Sequence, residues 1–253
     1  MNNYLKIYFI IILIFASSCK KETRSNKYIL ENDTLKYKLS YYASGEIKTK
    51  DSYKVINGDT LIEGNCFEFY PNGNLKTKSF IKNNEVDGYI FNYYKNGQVR
   101  KEAFIKDKKP IGVWRTYYKN GLIETYACSD IYGKIRFFKI YDSINKKIIR
   151  ENGEHVIQHY QNNDSLTLGD TLKLNLFVAT PPKTNLNFKV IYNYGDDSLR
   201  SIEKKYEIID NRVKIDTVFN KKGSYKINFE LEVIDSIKNT VNKETHSSKL
   251  YIY

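Results

Sequence analysis

The sequence predicts an all-β protein in which a sheet of stacked β-hairpin repeats is followed by a C-terminal antiparallel β-sandwich. Two patterns predict this fold. Glycines recur every 24 residues through the middle of the chain, and short segments of alternating apolar and polar residues follow from about residue 155. A third observation is the aromatic content of 15%, which supplies apolar area for a folded core in a chain of 253 residues.

The first 19 residues have the pattern of a secretory leader. Lys6 precedes an apolar run over residues 7–15, which is too short for a membrane-spanning helix. The run ends in Ala-Ser-Ser-Cys, which resembles the lipobox of bacterial lipoproteins, with Ala16 in place of the usual leucine. The resemblance implies cleavage of a signal peptide, residues 1–18, and lipidation of Cys19, with residues 19–32 as a tether. The alternative is a secreted protein in which Cys19 has no role.

The repeat is expected to occupy residues 33–140, with two glycine positions in each unit. One glycine begins each unit, and the second lies in a hairpin turn and is preceded by asparagine in three of four cases. Asn-Gly tolerates the positive φ of tight turns, and aromatic or β-branched residues flank it as in strands. A lone hairpin is marginal in water, so the units should stack into one long sheet. The turn glycines are Gly45, Gly73, Gly97 and Gly121.

The repeat unit resembles the MORN repeat in its bacterial variant form. The similarity lies in the start of a unit at Gly112 and Trp114, the paired tyrosines and the Asn-Gly turn followed by an aliphatic residue, across residues 41–135. The resemblance implies a fold of stacked hairpins and a role as a scaffold, a membrane-associated protein or an antitoxin. Recurring aromatic residues are expected to form stacked rows in the repeat core: Trp114, Tyr70, Tyr94, Tyr118, Phe80 and Phe104.

Two cysteines occupy apolar positions of the repeat. Cys66 takes the position of Trp114, and Cys128 takes the position of Phe104. Two hairpins separate the cysteines, which is about 20 Å at about 4.8 Å per strand. Because a disulfide needs Cα atoms within about 7 Å, both are expected to be buried free thiols.

Residues 141–154 are expected to join the repeats to the sandwich, which spans residues 155–253. Seven short alternating segments in this part are separated by Gly, Asp and Asn turns, as in antiparallel sandwiches. The stretch 221–233 resembles the start of a strand common in bacterial immunoglobulin-like and PKD-like modules. This part contains neither a cysteine pair nor a core tryptophan, which excludes an antibody-type domain.

Few residues are suited to chemistry, and no catalytic residue, metal site or cofactor is assigned. His155 and His159 lie four apart beside Glu154, but a His-Glu-x-x-His zinc site needs another order and spacing. Two surface histidines at the domain junction are the simpler interpretation, and an adventitious divalent-metal site stays open. Asp196 and Asp197 fit a hairpin turn better than a calcium loop. Without a histidine base, no nucleophile can be assigned.

The net charge of +12 is concentrated in the repeats. Residues 33–140 hold 19 Lys and Arg against 12 Asp and Glu, a balance of +7, whereas residues 150–253 hold 15 against 14. Lys48, Lys76 and Arg100 fall at equivalent positions and form a candidate basic ladder. Such a ladder suits phospholipid headgroups, an anionic glycan or an acidic protein surface. The alternative is a solvated edge protected by lysines.

Together these patterns favour a non-catalytic, lipid-anchored protein of the cell envelope, at the outer membrane of a Gram-negative-type bacterium. The repeat sheet would bind a protein or membrane surface, and the sandwich would be a second binding or spacer module. The family resemblance gives an alternative, an antitoxin or immunity-like protein that neutralises a toxin. A hydrolase of envelope glycans is a remote alternative. A nucleic-acid partner is not expected outside the cytosol.

Overall fold

The computed structural model describes residues 27–30, 36–144, 147–157, 165–195 and 201–253. These residues form nineteen strands and no helix, which confirms the predicted all-β fold. Within the same ranges, no helix is long and apolar enough to cross a membrane. The predicted signal peptide, Cys19, His159 and the Asp196–Asp197 turn lie outside the described residues.

The first eleven strands form one antiparallel sheet in which every strand pairs with its neighbours in the sequence. Each 24-residue unit therefore contributes two strands, as stacked hairpins require. The strands are β1 Lys27–Leu30, β2 Lys36–Tyr41, β3 Ile47–Ile56, β4 Asp59–Phe69, β5 Leu75–Lys82, β6 Glu85–Tyr93, β7 Val99–Lys106, β8 Lys109–Tyr117, β9 Ile123–Ser129, β10 Ile135–Tyr141 and β11 Ile148–Gly153.

Two kinds of turn lie on opposite edges of this sheet. On the predicted edge, Gly97 N–H donates to the Tyr94 carbonyl at 2.9 Å, and Gly97 takes a φ of 87°. The side-chain oxygen of Asn96 accepts from the Gln98 N–H at 3.2 Å. Asn96 does not take the positive φ that was expected of it. The opposite edge has two-residue turns with positive φ at both positions, which were not predicted, at residues 57–58, 83–84 and 107–108.

Side chains alternate between two faces of the repeat sheet. On the first face, large residues such as Ile90 and Trp114 alternate from strand to strand with the buried small residues Ser79, Ala103 and Ala127. The small residues are buried because their larger neighbours on adjacent strands lie over them. The second face carries an aromatic and apolar series from β5 to β10, namely Phe80, Tyr89, Phe91, Phe104, Cys128 and Phe137.

The remaining eight strands form two sheets that pack face to face. One sheet has the order β12-β14-β17 and the other the order β13-β19-β18-β15-β16. All pairs are antiparallel except β13 with β19, which are parallel. The strands are β12 Val156–Ile157, β13 Ser165–Leu166, β14 Thr171–Val178, β15 Thr184–Tyr194, β16 Ser201–Tyr206, β17 Arg212–Val218, β18 Gly223–Asp235 and β19 Thr240–Ile252.

The sandwich has its own hydrophobic core, to which both sheets contribute. Alternate residues of β14 and β17 face alternate residues of β15 and β18, in agreement with the predicted period of two. Fully buried members include Val190, Val213, Ile215 and Leu231. The predicted sandwich is thus present, with one parallel pair as the departure from a purely antiparallel arrangement.

Two predicted domain boundaries need correction. Lys27–Leu30 was assigned to the tether, but it pairs with β2 as the first strand of the sheet. Ile148–Gly153 was assigned to the junction, but it pairs with β10 as the last strand. The first strand contains no glycine, and the Asn152-Gly153 pair of the last strand lies off the 24-residue series, so the sheet extends beyond the recognisable repeat on both sides.

The sandwich packs directly on the second face of the repeat sheet, at β8 to β10. Tyr126 and Phe137 are fully buried there, together with Ala179 from the segment after β14. The Tyr126 hydroxyl accepts from the Thr180 N–H at 2.7 Å and donates to the Asn211 side chain at 3.0 Å. The aromatic face of the third repeat is therefore covered by the chain itself.

Charged groups complete this interface. Lys139 on β10 has no exposed surface, and its Nζ lies 2.6 Å from Asp235 Oδ2 and 3.4 Å from Glu151 Oε1. His155 is also buried, with Nδ1 2.7 Å from Glu244 Oε1. The expectation of a surface histidine at position 155 is wrong, because β19 and the Phe137 ring enclose it.

Candidate partner-binding face

The turn glycines take the conformation for which they were predicted. Gly45, Gly73, Gly97 and Gly121 have φ values of 99°, 82°, 87° and 81°. L-residues with a Cβ rarely adopt this region, so glycine is the favoured residue at each turn. These glycines shape the edge of the sheet, and the structure gives them no contact that suggests a further role.

The repeat tyrosines join one unit to the next through their hydroxyls. Tyr70 donates to the Tyr93 carbonyl at 2.8 Å, and Tyr94 donates to the Tyr117 carbonyl at 2.7 Å. Tyr118 repeats the contact with the Tyr141 carbonyl at 2.8 Å. The three rings are half-buried near the turn edge. Their role is a hydrogen-bonded link along that edge, rather than the stacked aromatic core that the sequence predicted.

The remaining predicted core residues differ in exposure. Trp114 is half-buried on the first face, where its indole N–H donates to Ser129 Oγ at 3.2 Å and Lys101 lies over the ring. Phe104 is half-buried on the second face, and Phe80 is 41% exposed. The core assignment of Phe80 is therefore wrong, because the sandwich covers the second face only further along the sheet.

The candidate basic ladder does not form a row of free cations. Lys48, Lys76 and Arg100 occupy the extra position of a bulge beside each turn, which explains their equivalence in the repeat. Lys76 pairs with Glu68 at 2.7 Å, and this contact raises the pKa of the lysine. Lys48 lies 6.0 Å from the centre of the Tyr42 ring, and Arg100 is exposed. Glu68 therefore neutralises Lys76, whereas Lys48 and Arg100 are exposed, so the ladder is not an unbroken row of free cations.

An uncovered group of aromatic residues stands out on the second face. We call Phe80, Tyr89, Phe91 and Phe104, on strands β5 to β7, the aromatic shelf. The ring centres of Tyr89 and Phe104 are 5.1 Å apart in an edge-to-face contact, and those of Tyr89 and Phe91 are 6.1 Å apart. Tyr89 is 61% exposed. Exposed aromatic clusters of this kind are typical of interaction surfaces.

A cleft continues the shelf toward the sandwich. A cavity of about 430 Å³ lies over Phe80, Tyr89, Phe91 and Phe104. Tyr89 also lines a second cavity of about 590 Å³, whose other wall belongs to the sandwich. That wall consists of Lys205, Tyr206, Glu207, Ile209, Asp210, Arg212 and Lys214. The sequence did not predict this cleft, because no local pattern shows which side of the sheet the sandwich covers.

Both repeat cysteines are buried free thiols, as predicted. Burial, together with the nearby charge of Asp51, raises the pKa of Cys66 to about 12. Burial alone raises the pKa of Cys128 to about 12. Such thiols are almost entirely protonated at neutral pH and are poor nucleophiles.

The described residues do not bring together a cluster suited to metal binding. Among them, no group of three or more His, Cys, Asp or Glu side chains is placed to hold an ion. Among the described residues, His155 forms an ion pair with one carboxylate, that of Glu244. Burial disfavours the ionised Glu244, but the hydrogen bonds and charge of His155 and the hydrogen bond from the Val156 backbone together outweigh it and lower the pKa of the carboxyl group.

Comparison with known proteins supports the repeat assignment. A family model described as the MORN repeat variant matches residues 62–83 and 86–107. These stretches lie on β4 to β7, the strands that carry the aromatic shelf. No curated protein matches the chain.

The stacked hairpins, and the match to the MORN repeat variant over residues 62–83 and 86–107, define the structural class of this part of the chain, that of β-hairpin repeats. A repeat protein of this class presents an extended surface, which suits a binding or scaffold role. The open aromatic shelf is the part of that surface best suited to a partner.

Proposed function

We propose that the protein is a non-catalytic, lipid-anchored scaffold of the cell envelope that binds a protein partner on the aromatic shelf. The observation that carries the proposal is the exposure of Tyr89 and Phe80 on a sheet face that the sandwich covers only at β8 to β10. Aromatic residues in a shallow cleft are the usual energetic centre of a protein–protein interface.

The chemistry of the described cysteines is consistent with a binding role. Burial raises the pKa of both described cysteines to about 12, and His155 is buried with its Nδ1 2.7 Å from Glu244 Oε1. A nucleophile needs a base within hydrogen-bond reach or a lowered pKa. The proposal therefore assigns no catalytic step and no cofactor.

The anchor is proposed from the sequence pattern at residues 7–19. An apolar run ending in small residues and Cys19 fits processing as a lipoprotein. Several acyl chains on one cysteine hold a protein stably at a membrane, which agrees with the expected location at the outer membrane. Metabolic labelling with a lipid precursor should mark the wild type and fail in Cys19→Ala. Label retained by Cys19→Ala would contradict the anchor.

The partner is tested by crosslinking in intact native cells. A photoreactive amino acid replaces Tyr89 in one variant and Tyr132 in a control, since Tyr132 lies in the turn between β9 and β10 of the same sheet and is 72% exposed. The proposal predicts one defined protein adduct from position 89, lost when Phe80→Ser is added, and no such adduct from position 132. Equal adducts from both positions, or none from position 89, would contradict it.

A further inference from the structure

The aromatic shelf is equivalent to a surface that the chain already covers one repeat further along. The repeats are 24 residues long, so Gly88 corresponds to Gly112 in the next repeat. In the same way, Tyr89 corresponds to Val113, and Phe104 corresponds to Cys128. On the third repeat, these positions belong to the interface with the sandwich. The structure therefore contains an example of what the second face of a repeat accepts.

The covering element on the third repeat is an extended strand with an aromatic side chain. Phe177 near the end of β14 packs against Gly112, where an added Cβ would lie 3.2 Å from the ring. Arg212 lies over the same ring, 5.2 Å from its centre. The backbone beyond the strand is held by the Tyr126 hydroxyl, which accepts from the Thr180 N–H.

The corresponding position on the second repeat has space above it. Phe80 packs beside Gly88, where an added Cβ would lie 3.0 Å from the Phe80 Cβ, and its ring remains 41% exposed. Tyr89 and Phe104 form the neighbouring wall. The cavity over these residues, about 430 Å³, has room for an aromatic or large aliphatic side chain.

The charges around the two cavities favour an acidic ligand. Four cationic and three acidic residues line the two cavities. One of the acidic residues, Asp87, already pairs with Lys106 at 3.3 Å. When Asp87 is left out, four cations and two carboxylates line the cavities. The cations are Lys78 beside the shelf and Lys205, Arg212 and Lys214 on the sandwich wall.

The geometry points to a specific kind of partner, an extended protein segment with an aromatic or large aliphatic residue flanked by carboxylates. The apolar side chain packs on the shelf as Phe177 packs on the third repeat, and the carboxylates face the lysines of the cleft. This inference rests on the proposed function and adds the chemistry of the partner and its place on the sheet. Its support is continuity with the interface at β8 to β10 and the charge of the cleft.

Random peptides from a display library are selected for binding to the full chain, which is purified in detergent. Peptides that also bind the Tyr89→Ser variant are removed by counter-selection. The expected peptides carry an aromatic or large aliphatic residue next to Asp or Glu. They should bind Tyr132→Ser as well as the wild type, and bind Tyr89→Ser at least about tenfold more weakly. Lys214→Glu should weaken binding, whereas Lys226→Glu, at an exposed lysine on β18, should not.

Three results of the peptide experiment would overturn the inference. These are no enrichment over Tyr89→Ser, enrichment of basic peptides, and binding that Lys226→Glu reduces as much as Lys214→Glu. Tyr89-dependent binding of dextran sulfate without peptide enrichment would also overturn it, since the shelf would then be a glycan platform. Peptide enrichment combined with failed crosslinking in cells would contradict the proposed function and leave the chemistry of the shelf intact.

Discussion

At the scale of single residues, small repeated contacts replace a deep core in the repeat sheet. Each of Tyr70, Tyr94 and Tyr118 donates its hydroxyl to a carbonyl in the next unit. The sequence showed that these tyrosines recur, but a recurring ring is equally compatible with stacking and with a hydroxyl contact. The partner of each hydroxyl is a backbone carbonyl oxygen. Because every residue type carries this atom, the residue pattern cannot show which position accepts the hydrogen bond.

Replacement of Tyr94 by Phe tests this contact. The variant keeps the ring and loses the 2.7 Å hydrogen bond to the Tyr117 carbonyl, so the free energy of unfolding should fall by about 1 kcal/mol. Urea unfolding measures the difference. Tyr132→Phe is the control, and because that ring is 72% exposed, it should change stability by much less. Equal effects would show that the hydroxyl link contributes nothing.

The two buried thiols give a pH-dependent prediction. With pKa values of about 12, both Cys66 and Cys128 should have about one thiolate in ten thousand molecules at pH 8. In a Cys19→Ala background, a thiol reagent should react slowly with the folded protein, and quickly once denaturant exposes both cysteines and restores their ordinary pKa. Rapid reaction of either cysteine in the folded state would contradict the burial described.

At the scale of elements, the hairpin is the unit of the repeat, and its turns decide the register. The repeat period and the strand pairing could be predicted because Gly73, Gly97 and Gly121 mark the same turn in each unit. Two turns on the other edge were missed because residues 83–84 and 107–108 are Asn-Asn and Asp-Lys, which lack glycine although both positions have positive φ. The third, Asn57-Gly58, was missed because it lies off the 24-residue series. The terminal strand β1 contains no glycine, and the Asn152-Gly153 pair at the end of β11 lies off the 24-residue series, so neither strand was recognised.

The variant Gly97→Ala tests the turn. Nothing lies within 4 Å of an added Cβ, so the cost comes from the φ of 87° alone and should be about 1 kcal/mol of unfolding free energy. Gly97→Asn should lose less, since asparagine tolerates this conformation better. Thermal unfolding of the three proteins compares them. An alanine variant as stable as the wild type would rule out the described turn.

At the scale of the whole molecule, two domains share one buried interface, and this arrangement leaves the shelf open. The strand patterns predicted both domains, since alternation and period are local. They could not predict that the sandwich covers β8 to β10 and stops before Tyr89, because contacts such as Lys139 with Asp235 join residues 96 positions apart. Phe80 was therefore assigned to a core that ends one repeat away.

The Lys139–Asp235 pair provides a test of the interface. Lys139→Met leaves the Asp235 carboxylate buried without its cation, which should cost about 3–5 kcal/mol of unfolding free energy. The control is Lys189→Met, whose ion pairs with Glu203 and Glu230 are partly exposed, and it should cost much less than Lys139→Met. Urea unfolding compares them. Similar losses in the two variants would mean that the domains are not joined as described.

The central claim is that the aromatic shelf is the surface that holds the partner. The most direct measurement is the dissociation constant of the protein recovered by crosslinking at position 89, determined for the wild type, Tyr89→Ser and Tyr132→Ser. The account predicts affinity at least about tenfold weaker for Tyr89→Ser and unchanged for Tyr132→Ser. Equal affinity for all three proteins would place the binding surface elsewhere and contradict the claim.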